Sequence, residues 1–141
     1  MASCSKWNST AVLDLALAGI AASNQMWVVA GVATAATPTY NECTTTSTNG
    51  TTGALTGAIS MTIGAGNGDY TLSTPATTSR RLTMTAKATN AVTYTGTATG
   101  IALVTSGTTT INYMTTCTSQ ALTSGNTVSV PSWTITLAAA T

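Results

Sequence analysis

The chain has 141 residues, 43% hydrophobic, 5% charged and 5% aromatic; 35 are Thr, four are Lys or Arg, three are Asp or Glu, and none is His or Phe. Without His, and with Asp14, Glu42 and Asp69 as the only acids, the side chains that most acid/base, metal-ligand and nucleophile-triad chemistry requires are missing, so neither an enzyme nor a cofactor is expected. A net charge of +1 gives no field to draw in nucleic acid, and it leaves copies of the chain without the repulsion that keeps soluble monomers apart.

The length suits one domain, read as an N-terminal arm and helix over 1–24 and a β body over 25–141. Disorder does not fit, because positive mean hydropathy with almost no charge is the reverse of a disordered composition. The arm Met1 to Asn8 is polar and holds Lys6 and Trp7. An exposed Trp on an arm is a good anchor in a neighbour's pocket, which makes Lys6 and Trp7 candidate interface residues.

Residues 9–22 read as the only helix. Ser9 or Thr10 can cap it, Asp14 falls near the first turn where the helix dipole favours an acid, and Leu13, Leu17 and Ile20 share one face flanked by Val12 and Leu15. Lys6 ahead of an apolar run imitates a secretory signal, but Asp14 lies inside the run. Ser23, Asn24 and Gln25 break the apolar stretch 16–36 before it becomes a membrane span, so no membrane is expected.

Gln25 to Ala33 then reads as a strand through its β-branched and aromatic content. Thr37 to Gly53 is the longest candidate loop. From Ala58 the pattern has period two. Ala58–Ile63, Tyr70–Leu72, Leu82–Thr89, Val92–Thr95, Gly100–Thr105, Thr110–Cys117 and Thr127–Leu137 are strand candidates separated by Gly-, Ser- and Asn-rich turns. Short strands at this spacing predict a mainly β protein, an antiparallel β-sandwich that is jelly-roll-like, with one short N-terminal helix and an arm. Thr suits such a sheet, since its branched Cβ fits the pleat and its hydroxyl solvates the outer face without charge.

The candidate sites divide unevenly. Gly64-Ala-Gly-Asn-Gly68 is preceded by a strand but followed by no helix start, so it reads as a turn and not as a phosphate loop. Cys4, Cys43 and Cys117 are too scattered for a metal site; Cys43 and Cys117 could form a disulfide pinning the long loop to the sheet, or stay free. Glu42 and Asp69 are the only acids that could serve as a hydrolase pair, although acids in such positions are ordinarily just solvated. Arg80 and Arg81, near Lys87, form the only basic cluster. They can bind a carboxylate across a subunit interface or guard a strand edge facing water. Trp27 and Trp133 sit in apolar strand contexts and are expected in the core. Asn8-Ser-Thr and Asn49-Gly-Thr match the glycosylation pattern, which so much Thr produces by chance.

The stretch Leu82 to Leu137 carries a family resemblance. Its run Ala91-Val-Thr-Tyr-Thr-Gly-Thr-Ala-Thr-Gly-Ile-Ala-Leu-Val, a Ser-Gly turn, and then Ile111 to Leu137 with the close Val-Pro-Ser-Trp-Thr-Ile-Thr-Leu resemble small virion proteins of tailed bacteriophages. The order of helix, strand, polar loop and β-rich body is similar too. Members of that family often carry a His just after Gly-Thr-Ala-Thr; this chain has Gly100 there, so such a His has no role in it. The resemblance implies a non-enzymatic structural protein of a virion, assembled in the host bacterial cytoplasm. A short chain without a fibre shaft, with an arm suited to grip neighbours, favours capsid decoration, with copies of itself and a major capsid protein as partners. The alternative is a collar, tail or fibre component that binds a host receptor or glycan through the Thr37–Gly53 loop and exposed Tyr residues such as Tyr40.

Overall fold

The computed structural model describes residues 9–35, 37–66, 68–76 and 79–138. Lys6 and Trp7 lie outside the described residues.

Helix α1 (Ser9–Ile20) turns the expected face inward: Leu17 is fully buried and Leu13 and Ile20 are half-buried, whereas Val12 and Leu15 remain 67% and 76% exposed. Asp14 sits beyond the first turn, where the helix dipole no longer reaches it, and it serves a different partner described below. Strand β1 (Gln25–Ala30) stops short of the expected Ala33, because Gly31 takes a left-handed φ of 64° and hands the chain to a 3₁₀ turn, Val32–Thr34. A Cβ at Gly31 would lie 2.3 Å from the Thr51 carbonyl oxygen, so this break requires glycine.

A second helix, α2 (Tyr40–Thr44), stands inside the segment read as loop. Its start is a capping box: the Thr39 hydroxyl accepts from the Glu42 backbone N–H while the Glu42 carboxylate accepts from the Thr39 N–H at 2.8 Å. Such a box satisfies two otherwise orphaned donors and lets a helix of five residues form.

The remaining elements are strands: β2 (Gly53–Ala54), β3 (Ile59–Ser60), β4 (Tyr70–Ala76), β5 (Ser79–Met84), β6 (Lys87–Ala91), β7 (Gly96–Thr105), β8 (Thr110–Leu122), β9 (Thr127–Val130) and β10 (Trp133–Ala138). Two runs that read as single strands are each divided. Residues 82–89 split between β5 and β6, and 127–137 split at Pro131 and Ser132 into β9 and β10, which join different sheets. Proline has no N–H to continue a ladder, so the second break has a local cause.

Every pairing between named strands is antiparallel. The largest sheet runs β2-β1-β7-β8, with β3 also on the outer edge of β1; a three-stranded sheet runs β10-β5-β4; β6 and β9 form a two-stranded pair. The protein is mainly β and antiparallel with a short N-terminal helix, as the period-two pattern requires.

One hydrophobic cluster draws on all three sheets and on α1, with Leu17, Met26, Tyr70, Leu82, Met84 and Leu103 fully buried in it. Alternation along β1 and β7 sends Met26, Val28, Ile101 and Leu103 into this core. The intervening Val29, Ala102 and Val104 go to the opposite face, where Val32 and Cys43 cover them. Gly100 is where that cover comes closest: a Cβ there would meet the Ala33 Cβ at 2.3 Å and the Thr115 carbonyl oxygen at 2.8 Å. No side chain fits, which gives the physical reason for glycine at this position.

Candidate functional site

Each charged side chain among the described residues bonds to a partner within the chain. Arg80 on β5 presents its guanidinium fork to Asp14 of α1, with Nε on one carboxylate oxygen and Nη2 donating to the other at 2.9 Å, while Nη1 donates to Thr74 of β4. Within the chain, the guanidinium fork thus already has a carboxylate partner, Asp14. Arg81 points to the other side of β5 and donates through Nε to the Thr136 hydroxyl at 3.3 Å.

Glu42 and Asp69 are held by separate local partners and do not form a pair. Glu42 is occupied by the α2 cap, and the Thr39 hydroxyl and backbone N–H lower its pKa. Asp69 is nearly buried; its carboxylate accepts from the Thr62 N–H at 2.7 Å and pairs with Lys87 at 2.7 Å. Burial pushes the Asp69 carboxyl up, but the bonds from Lys87 and Thr62 together outweigh it and hold the group below its usual value. Next to it Tyr70 is fully buried, its hydroxyl donating to the Ser23 carbonyl at 2.9 Å, and burial lifts its pKa to about 12. The glycine segment before Asp69 is a turn that feeds β4, with the Gly66 N–H donating to the Tyr70 carbonyl.

Cys43 and Cys117 are free thiols, so the disulfide is not formed. The large sheet separates them. Cys43 is buried with Val29 and Ala102 on one face, and Cys117 lines a cavity with Val28 and Ile101 on the other. Burial pushes the Cys43 thiol up to about 11 and raises Cys117 as well, so both stay protonated at neutral pH. Among the described residues no group of three or more His, Cys, Asp or Glu could hold a metal ion. No described helix is long and apolar enough to cross a membrane.

The Cys117 pocket is a half-open cleft of about 370 Å³ between β8 and β9, lined by Val28, Ile101, Val128, Val130 and Trp133. Trp133 is only half-buried, stacks on Tyr113 with centroids 5.9 Å apart, and keeps a buried indole N–H without an acceptor among the described residues. Trp27 is likewise half-buried, at the margin of the smaller cluster. Both tryptophans sit at the edges of the packed interior and not deep within it. Tyr40, suggested as an exposed binding residue, packs against the same smaller cluster.

Sequence reasoning missed the sheet edges, which are decided by strand order. β8 has 13 residues of which only Leu122 is buried, and it ends the large sheet; β10 and β4 end the three-stranded one. Absence of charge and proline from Trp133 to Ala138 was visible in the sequence, but not that this strand would be an edge. Comparison with known proteins found no matching family model, no matching curated protein and no matching solved structure.

Proposed function

We propose that the chain is a non-enzymatic structural protein of a bacteriophage virion, a jelly-roll-like β-sandwich subunit that decorates and stabilises a capsid through contacts with copies of itself and with a major capsid protein. The observation that supports this reading most is the internal use of charge. Asp14, Glu42, Asp69, Arg80, Arg81 and Lys87 each bond within the chain, which leaves few charges free to hold subunits apart. Such a surface opposes close approach of subunits very little, whereas soluble monomers ordinarily rely on net charge to stay apart. Exposed Val12, Leu15 and Ile63 add apolar area for burial against a neighbour. The arm with Lys6 and Trp7 supplies the anchor in this scheme.

Labelling the protein on purified particles and counting copies by electron microscopy tests the reading. A copy number matching the capsid lattice is expected; a single ring at the tail favours the collar or tail placement, and absence from particles contradicts the reading altogether. Deleting residues 1–8 is expected to abolish incorporation while the β body stays folded.

A further inference from the structure

Sheet edges with open backbone groups are sites of pairing with another chain, and proteins block the ones they do not use with short strands, Lys, Pro or bulges. Almost every edge of this molecule carries such a block. β2 and β3 have two residues each; β4 contains Pro75 and a register shift between Ser73 and Ala76; β6 carries Lys87 and a shift before Asn90. β9 has four residues and runs into Pro131, and the ladder of β8 shifts register twice, between Ala98 and Gly100 and between Leu103 and Val104 on its neighbour β7.

β10 has none of these. Trp-Thr-Ile-Thr-Leu-Ala contains no charge and no proline, and it pairs with β5 in unbroken register from Trp133↔Met84 to Ala138↔Ser79. Among the described residues β5 is the only strand that pairs with it. Four of its six residues, Trp133, Thr134, Ile135 and Thr136, are of types enriched in extended, paired backbone.

We propose that β10 is a self-pairing edge, along which two copies of the chain join antiparallel about a twofold axis at Ile135 and merge their three-stranded sheets into one. Residues directly opposite in an antiparallel pair share a face. Pairing about Ile135 sets Trp133 against the partner's Leu137 on the apolar face and Thr134 against the partner's Thr136 on the exposed face. Apolar groups meet apolar groups, Thr meets Thr, and no charge opposes a like charge, so the strand is complementary to itself. Twofold contacts of this self-complementary kind close without leaving a new edge exposed. This deepens the assembly reading above and rests on it only in taking the chain to work as a homo-oligomer.

Sedimentation of the full chain from micromolar to about 1 mM tests the pairing, a range that covers weak and strong dimers alike. Wild type is expected to pass from monomer to dimer. The double variant T134E/T136E places acid against acid on both sides of the axis, and we expect association at least about tenfold weaker. T134K/T136E places opposite charges there and is expected to recover it, while Arg81 beside Thr136 accommodates the acid within the chain. Wild type that stays monomeric throughout, or T134E/T136E that associates as wild type does, overturns the pairing. Should T134E/T136E fail to fold, amide exchange of wild type decides: slower exchange over 133–138 at high concentration supports the pairing, and unchanged exchange overturns it. Failure of the β10 pairing leaves the virion placement to be decided separately, by the particle count.

Discussion

β4 and β10 flank the same strand, β5, and their treatment is opposite. On the β4 side, the Arg80 fork binds Asp14 of α1 and Thr74 of β4, Asp69 at the foot of the strand is locked to Lys87 and Thr62, and Pro75 and a register shift close the outer edge. On the β10 side the chain has one side-chain tie from Arg81 to Thr136 and one from the Ser132 hydroxyl to the Met84 carbonyl at 2.8 Å, with an outer edge left unbroken and neutral. Within one sheet, one outer edge thus carries blocks against pairing and the other carries none. The few charges of this protein are concentrated where an edge must be sealed and a helix fastened.

The largest expected effect comes from the residue that both sides share. Leu82 is fully buried with Leu72 of β4 and Ile135 of β10 as its cross-strand neighbours. Leu82→Ala is expected to cost about 2 to 5 kcal/mol in chemical denaturation and to loosen both flanks together. A loss confined to one flank would show that the sheet does not act as a unit.

Lys87→Met comes next and acts through Asp69, at the foot of β4. It leaves Asp69 nearly buried without its cation, a loss of about 3 kcal/mol at pH 7, the low end for a buried pair because both side chains keep some exposure. The folded Asp69 pKa lies below the usual 3.8, so the stability it contributes is fully present above that value and is lost as pH falls through the folded pKa. The difference between variant and wild type should therefore shrink as the pH is taken below 4, and a difference independent of pH would contradict the assigned pair.

Arg80→Met releases α1 and Thr74 from β5 at a cost of about 1 kcal/mol, because the Asp14 partner is partly solvated. Its sharper signature is faster amide exchange in α1 with β10 unchanged. The smallest change in stability, within about 0.5 kcal/mol, is expected for Pro75→Thr on the exposed β4 edge. That substitution removes one of the two blocks on β4, and increased association in sedimentation would show that the proline guards the edge.

The local part of this design is legible in the sequence. The three-and-four spacing of Leu13, Leu17 and Ile20 identifies α1 and its buried face, and period two identifies most strands. The Thr39 to Glu42 capping box was also present in the sequence, but one Thr among so many does not stand out as a cap. What cannot be read are the encounters between distant residues. Asp14 and Arg80 are 66 positions apart, the two cysteines are divided by a sheet whose order is not local, and the separation of β9 from β10 into different sheets turns on one proline. Edge status follows from strand order, so the strand proposed to pair is the feature that sequence alone gives least reason to select.

Amide hydrogen exchange on wild type, at low and high protein concentration, measures both flanks of β5 in one experiment. Exchange over Trp133–Ala138 is expected to slow as concentration rises while exchange over Tyr70–Ala76 does not change. Equal behaviour of the two strands, whether both slow or neither does, would contradict it.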